Sequence, residues 1–554
     1  MNRSVLQLDS RDNVLIALTD LKAVEPVEFR GQTYTLCNDV PAKHKFAMRG
    51  LDIGDEIIMY GVLVGRAVKP IAAGELLTTG NIQHGATPFH EQSVEYQWAP
   101  PDVSSRKQQT FLGYRRSDGQ VGTRNYWLVV PLVFCENKNI QVLKQALEEE
   151  LGFAAPQLYH RQVADLARRY REGQKDEGQK EKIDAPGLLP DVVPTQSSRL
   201  FENIDGIRFL QHEGGCGGTR EDSSNLCGLI AGYIHHPNVA GATVLSLGCQ
   251  HAQVTILRDE IRKRNPNFDK PLFILEQQRS GSEAAMMSDA IRRTFLGLIE
   301  ANKAERTPAP LAELCVGLKC GGSDGFSGIS ANPAIGHTAD LLAALGGRTI
   351  LSEFPELCGV EQDLINRGKS QPVGNRFIQL MRDYAARAAA VRSGFDMNPS
   401  PGNIRDGLIT DAMKSAGAAK KGGNAPVVDV LDYTEPATRA GLSLVCTPGN
   451  DVEATTGQAA SGATLILFTT GLGTPTGNPV SPTIKISSNT SLARRMPDII
   501  DIDTGSIIEG EKTLEEMGEE ILSYCVCVAS GEITPKAVLL NQDDFIPWKR
   551  GVSL

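Results

Sequence analysis

Leu314-Cys-Val-Gly-Leu318, followed at once by Lys319-Cys320-Gly321-Gly322-Ser323-Asp324-Gly325, is the stretch on which the reading of the fold turns. A short unbroken apolar run is a strand buried on both faces, and the glycine-rich run behind it cannot extend that strand. The same pairing recurs along the chain. Ala242-Thr-Val-Leu-Ser-Leu247 leads into Gly248-Cys249-Gln250-His251, Leu442-Ser-Leu-Val445 into Cys446-Thr447-Pro448-Gly449-Asn450-Asp451, and Leu465-Ile-Leu-Phe-Thr-Thr470 into Gly471-Leu472-Gly473-Thr474-Pro475-Thr476-Gly477. Further short strands are read at Tyr126–Leu132, Leu272–Leu275 and Thr349–Ser352, with helices at 139–151, 223–234, 283–301, 376–391 and 513–523. Buried strands alternating with helices predict an α/β fold with mostly parallel sheets. In such sheets ligands bind beyond the carboxyl ends of the strands. Glycine, thiol, hydroxyl and carboxylate groups gather there.

Upstream the pattern differs. Residues 1–98 read as short strands and turns, among them Val14–Leu18, Val27–Leu36 with a turn at Arg30-Gly31, and Glu56–Ala67. That is a small all-β unit. A polar, proline-containing linker is placed at 99–112, a first α/β domain at 113–265 and a second at 266–554. A charged insertion at about 160–200, densest from Arg171 to Lys182, and a second polar stretch from Ala416 to Asn424 read as solvated segments.

Composition narrows the class of function. The 554 residues are 41% hydrophobic and 22% charged, which fits a globular chain and neither a disordered nor a membrane one. The net charge of −10 leaves no footprint for nucleic acid. No run approaches the length of a membrane span and no signal segment opens the chain, so no membrane partner and a cytoplasmic address are expected. The 11 cysteines are then expected as reduced thiols. The loop Gly471–Gly477 lacks both the phosphate-binding lysine and the dinucleotide spacing, which argues against a nucleotide.

Three thiols stand in glycine-rich turns, at Gly214-Gly-Cys216-Gly-Gly218, Gly248-Cys249 and Cys320-Gly-Gly322. Cores seldom place a thiol between glycines, so a metal-binding or catalytic role is weighed against packing for this trio. His212, four residues before Cys216, and His251, two after Cys249, share those loops, whereas His235 and His236 read as structural.

With these residues in view the chain resembles the altronate and galactarate dehydratase family of sugar-acid dehydratases, over nearly its whole length. The matching words are Asp12-Asn-Val14, Gly113-Tyr-Arg-Arg116 with Val121-Gly-Thr-Arg-Asn125, His236-Pro-Asn238, Leu318–Gly328, Cys446–Asp451 with Glu453-Ala-Thr455, and Pro482-Thr-Ile-Lys-Ile-Ser487. The resemblance implies a small N-terminal SAF domain of the β-clip type, a two-part catalytic region, and iron-activated loss of water from a polyhydroxy acid. His44-Lys45 matches one family word of the small domain. A second, histidine-bearing word is replaced by Leu77-Thr-Thr-Gly-Asn81, with His84 three residues on.

The implied reaction removes a weakly acidic proton beside a carboxylate and must hold the second negative charge that develops there. On that chemistry His212, His251 and Lys319 are candidates for proton transfer. His44, Arg124, Ser323, Asp324, Asn450 and Asp451 are candidates for the substrate, Arg124 as a fork onto its carboxylate. Cys216, Cys249 and Cys320 are candidates for Fe2+, for Mn2+ in its place, or for a labile Fe–S cluster. The expected substrate is a small sugar acid, altronate first, with galactarate, another aldarate or sulfolactate as alternatives. A non-catalytic sugar-acid or iron-binding protein is the reading from a different class, and a homodimer is the expected assembly.

Overall fold

The computed structural model describes residues 4–154, 158–173 and 199–553. Its N-terminal part is all-β: a sheet of Val5–Leu6, Val14–Ala17 and Lys45–Ala47, a hairpin of Pro26–Phe29 with Gln32–Thr35, and a sheet of Glu56–Met59, Val62–Ala67 and Ile82–Gln83. The hairpin turns at Arg30 and Gly31, both with positive φ (51° and 78°), where the sequence puts a turn. The last strand ends at Gln83, so the small domain stops short of 98. Residues after it run along the C-terminal domain, where Gln92 Nε2 donates to the carbonyls of Asn366 and Gly368 and Tyr96 Oη to that of Asn424.

Two parallel sheets follow. The first, in the order Gly206–Phe209, Tyr126–Pro131, Val239–Ser246, Leu272–Glu276, has helices on both faces. Alternation along Tyr126–Pro131 sorts the layers. Tyr126, Leu128 and Val130 face a core with the helix Arg220–His235, and Trp127 and Val129 a core with Asn137–Leu151 and Glu283–Ala301. The strand Leu272–Glu276 and the helix behind it belong to this layer, so the division between the α/β domains falls after Ala301 rather than at 265. A flat alternation count cannot see this, because only strand pairing assigns a strand to one sheet or another. Leu158–Gly173, inside the expected charged insertion, is a helix, while residues 174–198 lie outside the described residues. The domain's entry and exit are tied together where Thr110–Arg115 pairs antiparallel with Arg306–Pro310.

The second sheet has seven strands, all parallel, in the order Val427–Leu431, Gly441–Val445, Arg348–Leu351, Cys315–Cys320, Leu465–Thr470, Thr483–Ser487, Ile502–Asp503. It packs against the helices Ala331–Ala344, Gln371–Ala390, Asp411–Ala419 and Leu514–Ser530 in a core that also takes in the N-terminal domain. The helix Asp451–Ala460 lies between the two α/β domains, its last turn against Gly232, where a Cβ would meet Ala460 Cα at 3.0 Å. Among the described residues no helix is long and apolar enough to cross a membrane.

The packing around Trp127 is closed. Its indole Nε1 donates to Thr243 Oγ1 at 3.1 Å, Thr243 bonds Thr294 at 2.7 Å, and a Cβ on Gly297 would run into the ring. Replacing Gly297 by alanine is expected to destabilise the first α/β domain by about 1–3 kcal/mol through overpacking. An unchanged urea midpoint of tryptophan fluorescence would contradict this.

Candidate functional site

The strand ends of the seven-stranded sheet carry a buried polar network. Lys319 and Cys320 close the strand Cys315–Cys320. The next strand, Arg348–Leu351, leads to Glu353, held at φ 70°, and then to Glu356 in a 3-10 turn. The helix Asp411–Ala419 brings Lys414, the turn behind it Lys421, and the N-terminus of Asp451–Ala460 brings Asp451. Lys319 pairs with Glu353 and, at 2.8 Å, with Asp451. Lys421 pairs with Glu353 at 3.0 Å and reaches Cys320 Sγ at 2.8 Å, while Lys414 pairs with Glu356 at 2.8 Å. Three ammoniums meet three carboxylates, nearly all removed from water.

The charges set one another. Burial opposes an ammonium at Lys319, but Asp451 and Glu353 hold it well above the usual lysine range, and Lys414 and Lys421 are raised likewise. Glu356, although buried, is pulled down to about 2 by Lys414, Lys319 and Lys421, and burial pushes the Cys320 thiol up to about 11. Lys319 is therefore a fixed cation, an acid rather than a base.

A second lysine has the opposite character. Lys319, Phe468 and Lys485 are register partners across three neighbouring strands. Lys485 Nζ lies 3.4 Å and Lys319 Nζ 5.8 Å from the Phe468 ring centroid. Without a carboxylate in contact and with only Thr476 Oγ1 to donate to, at 3.2 Å, Lys485 is pushed down by burial to about 7.

Asp324 anchors a neighbouring knot. It accepts from Ser327 Oγ and Ser488 Oγ, both at 2.8 Å, from Asn489 at 3.2 Å, and pairs with Lys43 of the N-terminal domain at 3.0 Å. Lys43 also reaches Asp406 at 3.1 Å, and the buried Lys45 donates to the Gly407 carbonyl at 2.7 Å. The small domain is thus pinned to the edge that carries the network.

The expected residues distribute unevenly over this geometry. Lys319, Cys320, Asp324 and Asp451 belong to the edge, and Ser323 is buried beside it with its carbonyl accepting from Asn403 at 2.7 Å. Asn450 caps the helix Asp451–Ala460, accepting from the amides of Val452 and Glu453. His44 is half-buried with Nδ1 against the Ala42 carbonyl at 3.2 Å, and burial lowers its pKa. Arg124 precedes its strand, so it stands at the opposite edge of the four-stranded sheet, donating to the carbonyls of Thr123 and Val528. It is part of the packing there and not a carboxylate fork. His212 is buried, bonded through Nε2 to the Pro131 carbonyl at 2.8 Å and accepting at Nδ1 from Gly214, and desolvation lowers it to about 4. With both nitrogens engaged, it braces a loop. His251 is exposed beside Cys249. His236 is buried between the Ala463 carbonyl and the Asn238 amide, a structural residue as read. The stretch Ala416–Asn424 is not the solvated segment its composition suggests: Ala416 and Ala418 are core and Lys421 is fully buried against Cys320 and Glu353.

Sequence reading missed Glu353, Glu356, Lys414, Lys421 and Lys485. The strand-end rule, applied to Thr349–Ser352, points to Glu353, and the lone lysine inside Thr483-Ile-Lys-Ile-Ser487 is the signal for Lys485.

The thiol trio is divided. Cys216 and Cys249 follow strands of the four-stranded sheet. Cys320 instead joins Glu353 and Glu356, the one group of His, Cys, Asp and Glu among the described residues whose ligand atoms all lie within 4.8 Å. Its donor types suit iron. Its surroundings do not, because each donor already faces an ammonium and burial keeps the thiol protonated. The cations this group is built to hold are the lysines.

Family models match in succession: "Altronate/galactarate dehydratase SAF domain" over residues 3–85, "D-galactarate dehydratase/Altronate hydrolase, second domain" over 113–302, and "D-galactarate/Altronate dehydratase, C-terminal" over 311–553. The chain is 32% identical to the altronate dehydratase of Bacillus subtilis over 100% of both chains, and 32% identical to that of Escherichia coli over 99% of both. It is 29% identical to the Escherichia coli galactarate dehydratase (L-threo-forming), over 95% of this chain and 93% of that one.

Asp411, at the start of the helix that carries Lys414, gives a pH test of the network. Burial and the nearby Glu356 raise it to about 8. A carboxyl raised on folding contributes stability that is present below its unfolded pKa of about 4 and lost as pH rises through the folded value. Asp411→Asn is therefore expected to gain thermal stability over the parent as pH goes from 5 to 9, on the order of 2 kcal/mol at the upper end. A difference that does not change with pH would refute the assignment.

Proposed function

This chain belongs to the D-galactarate/altronate dehydratase family, and from that premise we propose that it is a sugar-acid hydro-lyase that eliminates water from a hexonate, with altronate to 2-dehydro-3-deoxy-gluconate as the lead reaction. Full-length identity to two altronate dehydratases supports that substrate. The observation that carries the chemistry is the row Lys319, Phe468, Lys485, in which two lysines on the strands either side of Leu465–Thr470 have their pKa values driven apart. Two titratable groups separated in this way supply an acid and a base at one pH.

The roles follow from charge. Lys485, neutral in part near pH 7, accepts the C2 proton, and the C2–H electron pair passes into the bond towards the carboxylate. The carboxylate oxygens then carry a second negative charge, which Lys319, Lys414 and Lys421 stabilise in a dry, preorganised setting. Lys319 protonates the departing 3-hydroxyl as the C2–C3 double bond forms, and the released enol tautomerises to the 2-keto acid. Asp451, about a third exposed, is the network's opening to solvent. It marks where a substrate carboxylate can replace a protein one beside Lys319.

Anaerobic assay with Fe(II) and a thiol reductant against hexonates, aldarates and sulfolactate tests the substrate. Keto-deoxy product from altronate alone is expected. Product from an aldarate, or sulfite from sulfolactate, would transfer the same elimination to that acid, and stoichiometric binding without product would mark a binding protein. The base is tested separately. The rate is expected to rise with pH along a single limb near 7, as the Lys485 ammonium loses its proton. Lys485→Arg, which cannot lose one, should lower kcat by about 10²–10⁴-fold and abolish exchange of the C2 proton with deuterated solvent. Retained exchange in that variant would remove Lys485 from the role.

A further inference from the structure

The helix Leu158–Gly173 stands apart from the rest of the fold. From Tyr159 to Arg171 every residue is exposed or half-exposed, so none of them is buried against the rest of the described chain. A helix of this length is marginal in water by itself, because helical stability comes mostly from packing an apolar face. The sequence supplies such a face. Tyr159, Val163, Leu166 and Tyr170 recur at intervals of four, three and four, which lays them in one stripe, and they are 71%, 64%, 38% and 51% exposed. Arg161, Asp165 and Arg168 fall on the side turned away from that stripe. Arg169, on one flank, pairs with Asp165 at 2.7 Å.

A second open face lies at the root of this insertion. The helix Glu283–Ala301 packs Met286, Ala290 and Leu298 into the core around Trp127 and leaves Ile291, Phe295, Leu296 and Ile299 exposed. Ile291, Phe295 and Ile299 are four residues apart and form a stripe of their own. The Phe295 ring meets Phe201 edge-on at 5.4 Å, and the exposed Leu200 beside it donates its amide to the Leu151 carbonyl at 3.2 Å. Leu151 ends the helix Asn137–Leu151, and the Arg199 guanidinium lies over the Phe153 ring at 5.4 Å. Both ends of the insertion therefore rise from this face.

Apolar surface of this extent marks a place of contact. The open side chains of the helix come to roughly 400 Å² and those of the face at its root to roughly 300 Å². Together they reach the scale of one side of a standard interface, about 800 Å², whereas the helix alone does not. The pattern also says which partner fits. A spacing of four, three and four reads the same in both directions, as a patch must when two copies meet about a two-fold axis. Antiparallel pairing of the helix with its own copy sets Tyr159 opposite Tyr170 and Val163 opposite Leu166, so aromatic meets aromatic and aliphatic meets aliphatic. It sets Arg169 beside Gln162 rather than beside another arginine, and it carries Arg161 and Arg168 to the outside. No like charges are brought together along the seam.

We propose that the helix Leu158–Gly173 is a self-association surface, pairing antiparallel with the same helix of a second copy of this chain across a two-fold axis. The face of Leu200, Ile291, Phe295, Leu296 and Ile299 closes against that pair. The occupant is a second copy because the stripe is its own complement, which an unrelated partner would not require. The contact is independent of the reaction proposed above.

The test reads the mass of the full chain in solution, by sedimentation and light scattering over a concentration series. A dimer is expected for the parent. Val163→Glu and Leu166→Lys each put a charge into the stripe and are expected to raise the dimer dissociation constant by about 10²-fold or more, with far-ultraviolet circular dichroism little changed because both positions are exposed. Leu296→Lys, on the face at the root, is expected to weaken the dimer as well. Position 163 faces position 166 across the axis, so mixing the Val163→Glu chain with the Leu166→Lys chain is expected to restore dimers made of one chain of each kind. Opposite charges then meet on one side of the axis and the unaltered valine and leucine on the other. A monomeric parent, whether its stripe is covered by its own chain or by nothing, would overturn the proposal. So would a dimer that survives both substitutions, which another face must hold, or two monomeric variants that do not combine when mixed.

Discussion

Three ammonium groups and three carboxylates share the C-terminal edge of the seven-stranded sheet, and most of them are buried. Removing such charges from water costs several kcal/mol per ion, which only close pairing offsets. The pairing draws on elements far apart in the chain: the strand end at Lys319, the turn at Glu353 and Glu356, the helix that carries Lys414, and the helix that begins at Asp451. Each must be in place for the others to be tolerated. This interdependence fixes the positions of the strand ends relative to one another, which is also what a reaction needing preorganised charge requires.

The small N-terminal domain is held by the same logic. Lys43 and Lys45 leave the strand edge of that domain to reach Asp324, Asp406 and the Gly407 carbonyl, and Gly407, at φ 91°, lets the two backbones meet. Thr410 Oγ1, just before the helix with Lys414, donates to the Val64 carbonyl at 2.6 Å. The domain therefore supports the network through lysines and backbone contacts.

The two α/β domains present different chemistries at equivalent edges. One edge is lysine and carboxylate, closed and charge-balanced; the other is thiol and glycine, open beside a cleft. The helix Asp451–Ala460 connects them, with Asp451 in the lysine network and Glu453, half a turn on, at the cleft.

By itself the sequence determined the class of fold, the places where buried strands end, and the residue types found at those ends, because unbroken apolar runs before glycine-rich turns encode strands covered on both faces. It also carried the family words, Lys485 among them. Strands with weaker signatures, such as Gly206–Phe209 and Val427–Leu431, escaped it, as did the burial of Lys421 inside a stretch whose composition is polar. Only the tertiary structure decided which strand ends stand together: that Cys320 belongs with Glu353 and three lysines, that Cys216 and Cys249 share an edge with Cys135, and that Arg124 lies at the far side. Strand order and the division into two sheets are set by burial between residues distant in sequence. A local pattern fixes the edge at which a side chain emerges, but not the neighbours it meets there.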